Sequence, residues 1–288
     1  MNTQAIDRPP SARRQDHAQS DGRKIAIGDG FSATSYRHTD FAGLMDPLIM
    51  VDHFVKTAPT FGTHAHAGLS AVTVMFEDSE GTFHNRDSLG NDVDLAAGDL
   101  YWFKAARGAL HNEEPRPGAR IHALQVFVNL PEEKRHDAPD ALHLPAGGIP
   151  QISGDQSSAR LVLGESNGIR GALAPDLSLT LLDITLKAGG QFTHPGQGGQ
   201  HAWLLAIAGT VSVTWNNGSA ELQPGTAIAM ADATHISISS DLGAHAVLFQ
   251  APPLRKGFIH RGPFAMGSEA ELDAVEAAYR AGRLGSID

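Results

Sequence analysis

Two short segments carry the residues best suited to chemistry. His64-Ala65-His66 and His111-Asn112-Glu113 each place two ligand-type side chains at positions i and i+2. On a β-strand those positions share one face, so each pair can point at a single place. If the two strands lie side by side, three imidazole nitrogens and one carboxylate oxygen converge. Such a set suits Fe(II), Mn, Co, Ni or Zn by ligand type. In an octahedral arrangement, four protein ligands leave two positions for water, substrate or dioxygen, unlike a closed structural zinc site. The chain has no cysteine, so thiolate sites and disulfides are excluded, and any metal must rest on His, Asp, Glu and water.

These residues need strands to hold them, and the surrounding sequence supplies strand signals. Short apolar runs such as Leu48-Val51, Ser70-Phe76, Asp99-Phe103 and Ala123-Val128 alternate with Gly, Asp, Asn and Pro turns. The second half repeats the layout with Leu179-Leu186, Ala202-Val213, Ala227-Met230 and Ala244-Gln250. A His-bearing loop leads into an apolar strand in both halves. A Gly-led strand pair then runs toward another histidine, from Gly98 to His111 and from Gly225 to His235. This weak internal repeat predicts an all-β bicupin: two antiparallel jelly-roll barrels packed face to face. Residues 1–22 read as a flexible polar tail and 23–135 as the N-terminal metal-binding barrel. Residues 136–150 read as a linker and 151–288 as the C-terminal barrel. Ser268 with Glu271 three residues on, followed by Leu272, Val275 and Tyr279, predicts one terminal helix packed on a barrel.

The glycine framing of the two pairs follows the order of the two cupin motifs. The usual cupin glutamate after the first pair is absent, with Leu69, Ser70 and Ala71 in its place, and Glu113 brings a carboxylate from the second motif. That displacement, together with DPLIMVDHF (Asp46–Phe54), HAHAG (His64–Gly68), AARGALHNEEP (Ala105–Pro115), LQVFVNLP (Leu124–Pro131) and HRGPFAM (His260–Met266), resembles the pirins. The resemblance covers roughly residues 24 to 285. It implies one iron, as Fe(II), bound by His64, His66, His111 and Glu113, with zinc, nickel, manganese or cobalt as substitutes. It also implies ring-opening dioxygenation of a flavonol such as quercetin, with Glu113 as the group that accepts the substrate's hydroxyl proton. The alternative it implies is a redox-sensing regulator that binds a transcription factor or a metabolic enzyme. A metal-dependent isomerase or a sugar-binding cupin shares the fold without the pirin segments. Ala67 stands where the family usually has Arg, which leaves the metal set intact but removes any contact that arginine makes.

Other residues read as structural. His194, His201 and His235 have irregular spacing and no accompanying carboxylate, so they read as packed groups and not a second metal site. His53 reads as packed near the barrel mouth, Trp102, Phe103, Phe76 and Phe127 as barrel core, and Arg107 as a structural partner for a carboxylate. Glu77-Asp78-Ser79-Glu80 reads as a solvated hairpin turn. The N-terminus has no apolar core of a signal peptide and no run approaches a membrane span, so the expectation is a cytoplasmic protein off the membrane. The formal net charge is −10 and no basic block extends beyond Arg13-Arg14, which argues against direct nucleic-acid binding. In a mobility-shift assay at physiological salt, random duplex DNA is expected to remain unbound. Salt-sensitive micromolar binding contradicts that expectation.

Overall fold

The computed structural model describes residues 16–287. Each barrel is made of a seven-stranded and a four-stranded antiparallel sheet, the C-terminal large sheet taking its seventh strand from His17–Ser20. In the N-terminal half, Leu69–Met75, Leu100–Lys104, Ile121–Asn129 and Leu48–Lys56 form the centre of the larger sheet. His64–His66, Ala109–Pro115, Phe83–Asp87 and Asp92–Leu95 form the smaller one. In the C-terminal half, His201–Ala208, Ala244–Ala251 and Thr180–Leu186 centre the larger sheet, opposite Gly190–Gly196, Thr234–Ser240, Val211–Trp215 and Gly218–Leu222. The identical sheet counts account for the internal repeat, and the architecture is a bicupin.

Three apolar clusters hold the barrels. Each barrel has its own interior, with Met75, Phe83, Tyr101 and Phe103 in the first and Leu204, Val213, Ile236 and Leu248 in the second. A third cluster lies between the large sheets, where Val72, Val74, Phe76 and Trp102 meet Trp203, Leu205, Val247 and Phe249. Every residue of Leu69–Met75 is therefore buried, which explains why apolar side chains fall on both of its faces where a one-sided strand would alternate. Trp102 and Phe76 thus face the other barrel, not the interior of their own. Adjacent strand residues point to opposite faces, and Phe103 takes the inward position.

Polar groups fix this seam. Tyr36 donates its hydroxyl to the Gly225 carbonyl at 2.6 Å. Buried Arg160, from the second barrel, donates to the carbonyls of Gly98 and Met75 in the first, and its charge is matched by Asp183 at 2.9 Å. His245 reaches the same carboxylate at 2.5 Å. His53 is packed, but at this seam: its Nε2 lies 2.7 Å from His122 Nε2, and His122 Nδ1 in turn contacts Asp78 at 2.7 Å. The Glu77–Glu80 turn is thus anchored through Asp78, and Ser79 within it is buried.

The chain ends cross between barrels. Residues 1–15 of the expected tail lie outside the described residues, but His17–Ser20 form a strand on Ala227–Met230 at the edge of the C-terminal large sheet. Backbone pairing at an exposed edge, with Ala18 buried below it, outweighs the polar composition that suggested a tail. The expected linker 136–150 likewise contains a strand, Asp140–Leu144, which pairs with Leu100–Lys104 and belongs to the N-terminal sheet. At the other end, the hairpin Ile259–Arg261 and Phe264–Met266 and the helix Glu269–Arg280 return to the N-terminal barrel. Ser268 caps that helix by accepting from the Glu271 N–H. Leu272 and Val275 pack on Ala65, Ala67 and Phe264. No helix among the described residues is long and apolar enough to cross a membrane.

The seam histidines tie stability to pH. Burial, then the neighbouring His122 and His245, lowers the His53 pKa to about 4, and burial also lowers His122 against the opposing pull of Asp78. In the unfolded chain a histidine titrates near about 6.5. Between those values the unfolded state binds the extra proton, so stability is complete above the unfolded pKa and drains away as pH falls toward the folded one. The urea midpoint of metal-free protein is expected to be lower at pH 5 than at pH 7, with a smaller drop in His53→Gln. A flat profile, or one unchanged by that substitution, contradicts this assignment.

Candidate metal centre

The strand His64–His66 pairs antiparallel with Ala109–Pro115, with His111 opposite His64 and Ala109 opposite His66. That register brings the three imidazoles of His64, His66 and His111 together, with one ligand nitrogen from each within 4.8 Å of the others. The Nε2 atoms of His66 and His111 are 3.0 Å apart, as are those of His111 and His64. An ion about 2.1 Å from each nitrogen at right angles needs nitrogens about 3.0 Å apart, against about 3.4 Å for a tetrahedron. The two measured separations, both made by His111, match neighbouring positions of an octahedral set.

The protonation states also fit a cation. His64 Nδ1 lies 3.0 Å from the Gly62 carbonyl and His66 Nδ1 lies 3.2 Å from the Pro263 carbonyl. A carbonyl only accepts, so each Nδ1 carries the proton and each Nε2 presents a lone pair toward the centre. Burial lowers the pKa of all three rings, with His66 brought to about 3 and His111 well below the usual range. All three are neutral at physiological pH. Packing holds the rings in place: His111 stacks on Phe103 at 5.0 Å, and Phe127 sets its edge against His66 at 4.9 Å.

Glu113 shares the strand and the cavity but stands outside the three-histidine cluster. Its Oε2 is 3.8 Å from His111 Nδ1. Its Oε1 accepts from Thr73 Oγ1 at 2.5 Å and Asn85 Nδ2 at 3.1 Å. Burial raises its pKa, while the Thr73 hydrogen bond and the Lys56 charge oppose the rise. The cavity above it measures about 310 Å³. Phe31, Phe54, Phe61, Phe83 and Phe127 form its walls, and Lys56, Gln125, Arg37 and Asp52 are its other polar lining.

Several of these groups escaped the sequence. Met50, Asp52, Phe54 and Lys56 all line the cavity, so the period of two along their strand could have flagged Lys56 beside Phe54. Thr73 and Asn85 offered no comparable signal. The Pro263 carbonyl comes from 197 residues away. Gly68 has a firm reason to be glycine: a Cβ there would sit 1.8 Å from the Ala265 carbonyl oxygen. Ala67 is fully buried between the same hairpin and the terminal helix, so a long charged side chain has no room at that position.

His194, His201 and His235 do not come together. His194 pairs with Ile236 in the same register in which His64 pairs with His111, and Gly196 stands where His66 would be. His194 is buried between Ser166 Oγ at 2.8 Å and Gln250 Oε1 at 2.9 Å. His201 lies at the inter-barrel seam and His235 is exposed. Arg107 is exposed, and its backbone N–H donates to the Asp137 carbonyl.

Comparison with known proteins identifies the family and the fold. A family model described as Pirin matches residues 16–128, and one described as Pirin C-terminal cupin domain matches residues 181–285. Pirin of Mus musculus is 27% identical over 239 residues, covering 82% of each chain. The crystal structure of a quercetin 2,3-dioxygenase from Acinetobacter baumannii superposes with a TM-score of 0.83 at 24% identity, covering 94% of this chain and 98% of that one. A bacterial pirin of Escherichia coli, solved in complex with nickel(II), superposes with a TM-score of 0.63 at 21% identity, covering 82% of this chain and 98% of that one. Those two structures share the fold, the two family models span both barrels, and the chain belongs to the pirin family.

Proposed function

We propose that the chain is a non-haem iron dioxygenase of the quercetin 2,3-dioxygenase type, opening a flavonol ring with dioxygen. The carrying observation is the convergence of three neutral imidazoles in the lining of an aromatic cavity, with His111 Nε2 3.0 Å from the Nε2 atoms of both His64 and His66. His64, His66, His111 and Glu113 would hold the ion, which for Glu113 requires its carboxylate to turn from its place beside His111 Nδ1 toward the cluster. The name of the A. baumannii relative supports the reaction class, and the nickel complex of the E. coli pirin supports a divalent transition metal. A bound iron would supply a Lewis acid for the substrate's oxygens and electrons for dioxygen chemistry.

The chain's own residues set the rest. The aromatic walls exclude water and sandwich a planar ring system. Thr73 and Asn85 hold Oε1 of Glu113, so Oε2 is the oxygen left to meet the ion and, when it lets go of the ion, to accept the flavonol hydroxyl proton. The burial of Glu113 makes it a stronger base than an exposed carboxylate.

Metal analysis of the wild type is expected to give one equivalent of divalent ion per chain, with His64→Ala and His111→Ala losing most of it. Glu113→Gln is expected to lower flavonol-dependent oxygen uptake by about a hundredfold or more while losing less metal than the histidine variants. A full equivalent of iron in the histidine variants places the ion elsewhere. Full metal with no oxygen uptake across a flavonol panel rejects the dioxygenase and favours a regulatory role.

A further inference from the structure

Lys56 is the one ammonium in the metal cavity, and its surroundings are unusual for a lysine. It is 3% exposed, whereas lysines are almost never fully buried without a partner. It forms no ion pair among the described residues. One of its three N–H donors goes to the Glu113 backbone carbonyl at 2.7 Å. Nζ sits 5.2 Å from the Phe61 ring centroid and 5.4 Å from that of Phe83. The rings offset part of the desolvation by cation–π attraction, but they take up no hydrogen-bond donor. Phe31 extends this aromatic wall, edge-on to Phe61 at 5.1 Å and stacked on Phe54 at 5.8 Å.

Charge decides what this cavity accepts. The three imidazoles are neutral, and Glu113 is the single carboxylate of the proposed metal set. A divalent ion together with Lys56 leaves an excess of positive charge in a largely apolar chamber, where an opposite charge is favoured more strongly than in water. Glu114 also acts on Lys56, and Arg37 and Asp52 in the lining oppose each other; a divalent ion and Lys56 together still outweigh the two glutamates.

We propose that Lys56 is the anion anchor of this pocket, and that its ligand is a planar aromatic anion whose deprotonated oxygen meets the ammonium while its rings lie against the phenylalanines. A phenolate, an enolate or an aryl carboxylate shares this chemistry. The inference rests on the metal-pocket reading above, but it concerns binding and does not require turnover.

The test uses matched probes on protein loaded with redox-inert zinc. 2-Naphthoate and neutral 2-naphthamide have the same ring system and nearly the same size. Isothermal titration is expected to show the wild type binding naphthoate at least about tenfold more tightly than the amide. Lys56→Met should erase that preference and Lys56→Arg should keep part of it, with zinc content and melting temperature matching the wild type in both. A Lys56→Met protein that still prefers naphthoate overturns the proposal and assigns anion selection to the metal alone. A wild type that fails to discriminate overturns it as well. If flavonol turnover fails but Lys56-dependent naphthoate binding persists, the dioxygenase is lost and the anchor stands. Turnover without Lys56-dependent selectivity rejects the anchor alone.

Discussion

The antiparallel pairing of His64–His66 with Ala109–Pro115 is the constraint on which the site depends. Opposing His64 to His111 sets three imidazoles on the inward face of one small sheet. A slip of one residue would turn every one of those side chains to the other face. The register is held from both sides. Phe83–Asp87 pairs with the far edge of Ala109–Pro115, and Asn85 opposite Glu113 then donates to its carboxylate. The Gly62 and Pro263 carbonyls fix the tautomers of His64 and His66, and stacking on Phe103 orients His111, so the rings are in place before any ion arrives.

The fold also explains why a domain with one site carries a second barrel. The return of the C-terminal hairpin supplies the Pro263 carbonyl and seals the position of Ala67. The N-terminal strand makes the reciprocal crossing onto the C-terminal sheet. Each barrel is thus completed by chain from beyond its own half, and the apolar seam with Arg160 and Asp183 at its polar edge locks the two together. The second barrel keeps the scaffold and one equivalent histidine, His194. With Gly196 and Ile236 at the other two positions, that histidine becomes part of a closed hydrogen-bond chain with Ser166 and Gln250.

Much of this was legible because strand geometry is periodic. His64 with His66, and His111 with Glu113, declare a shared face by spacing alone, and the pirin-like segments ordered those faces into one barrel. The two-barrel layout followed from repeated turn and strand signals. Side assignment failed where both faces of a strand are buried: in Leu69–Met75 nothing in residue type separates Val72 and Val74, which face the seam, from Ala71 and Met75, which face the interior. The strand His17–Ser20 escaped because its pairing is a backbone property that polar composition conceals. Long-range partners such as Pro263 are set by the chain's return path, which no local pattern records.

Anomalous scattering at the iron edge, from crystals of protein reconstituted with Fe(II) under anaerobic conditions, tests the central claim most directly. The expected result is a single peak about 2.1 Å from the Nε2 atoms of His64, His66 and His111, with the Glu113 carboxylate turned onto it. A peak at His194 or at the seam histidines, or none in fully reconstituted protein, would contradict the account.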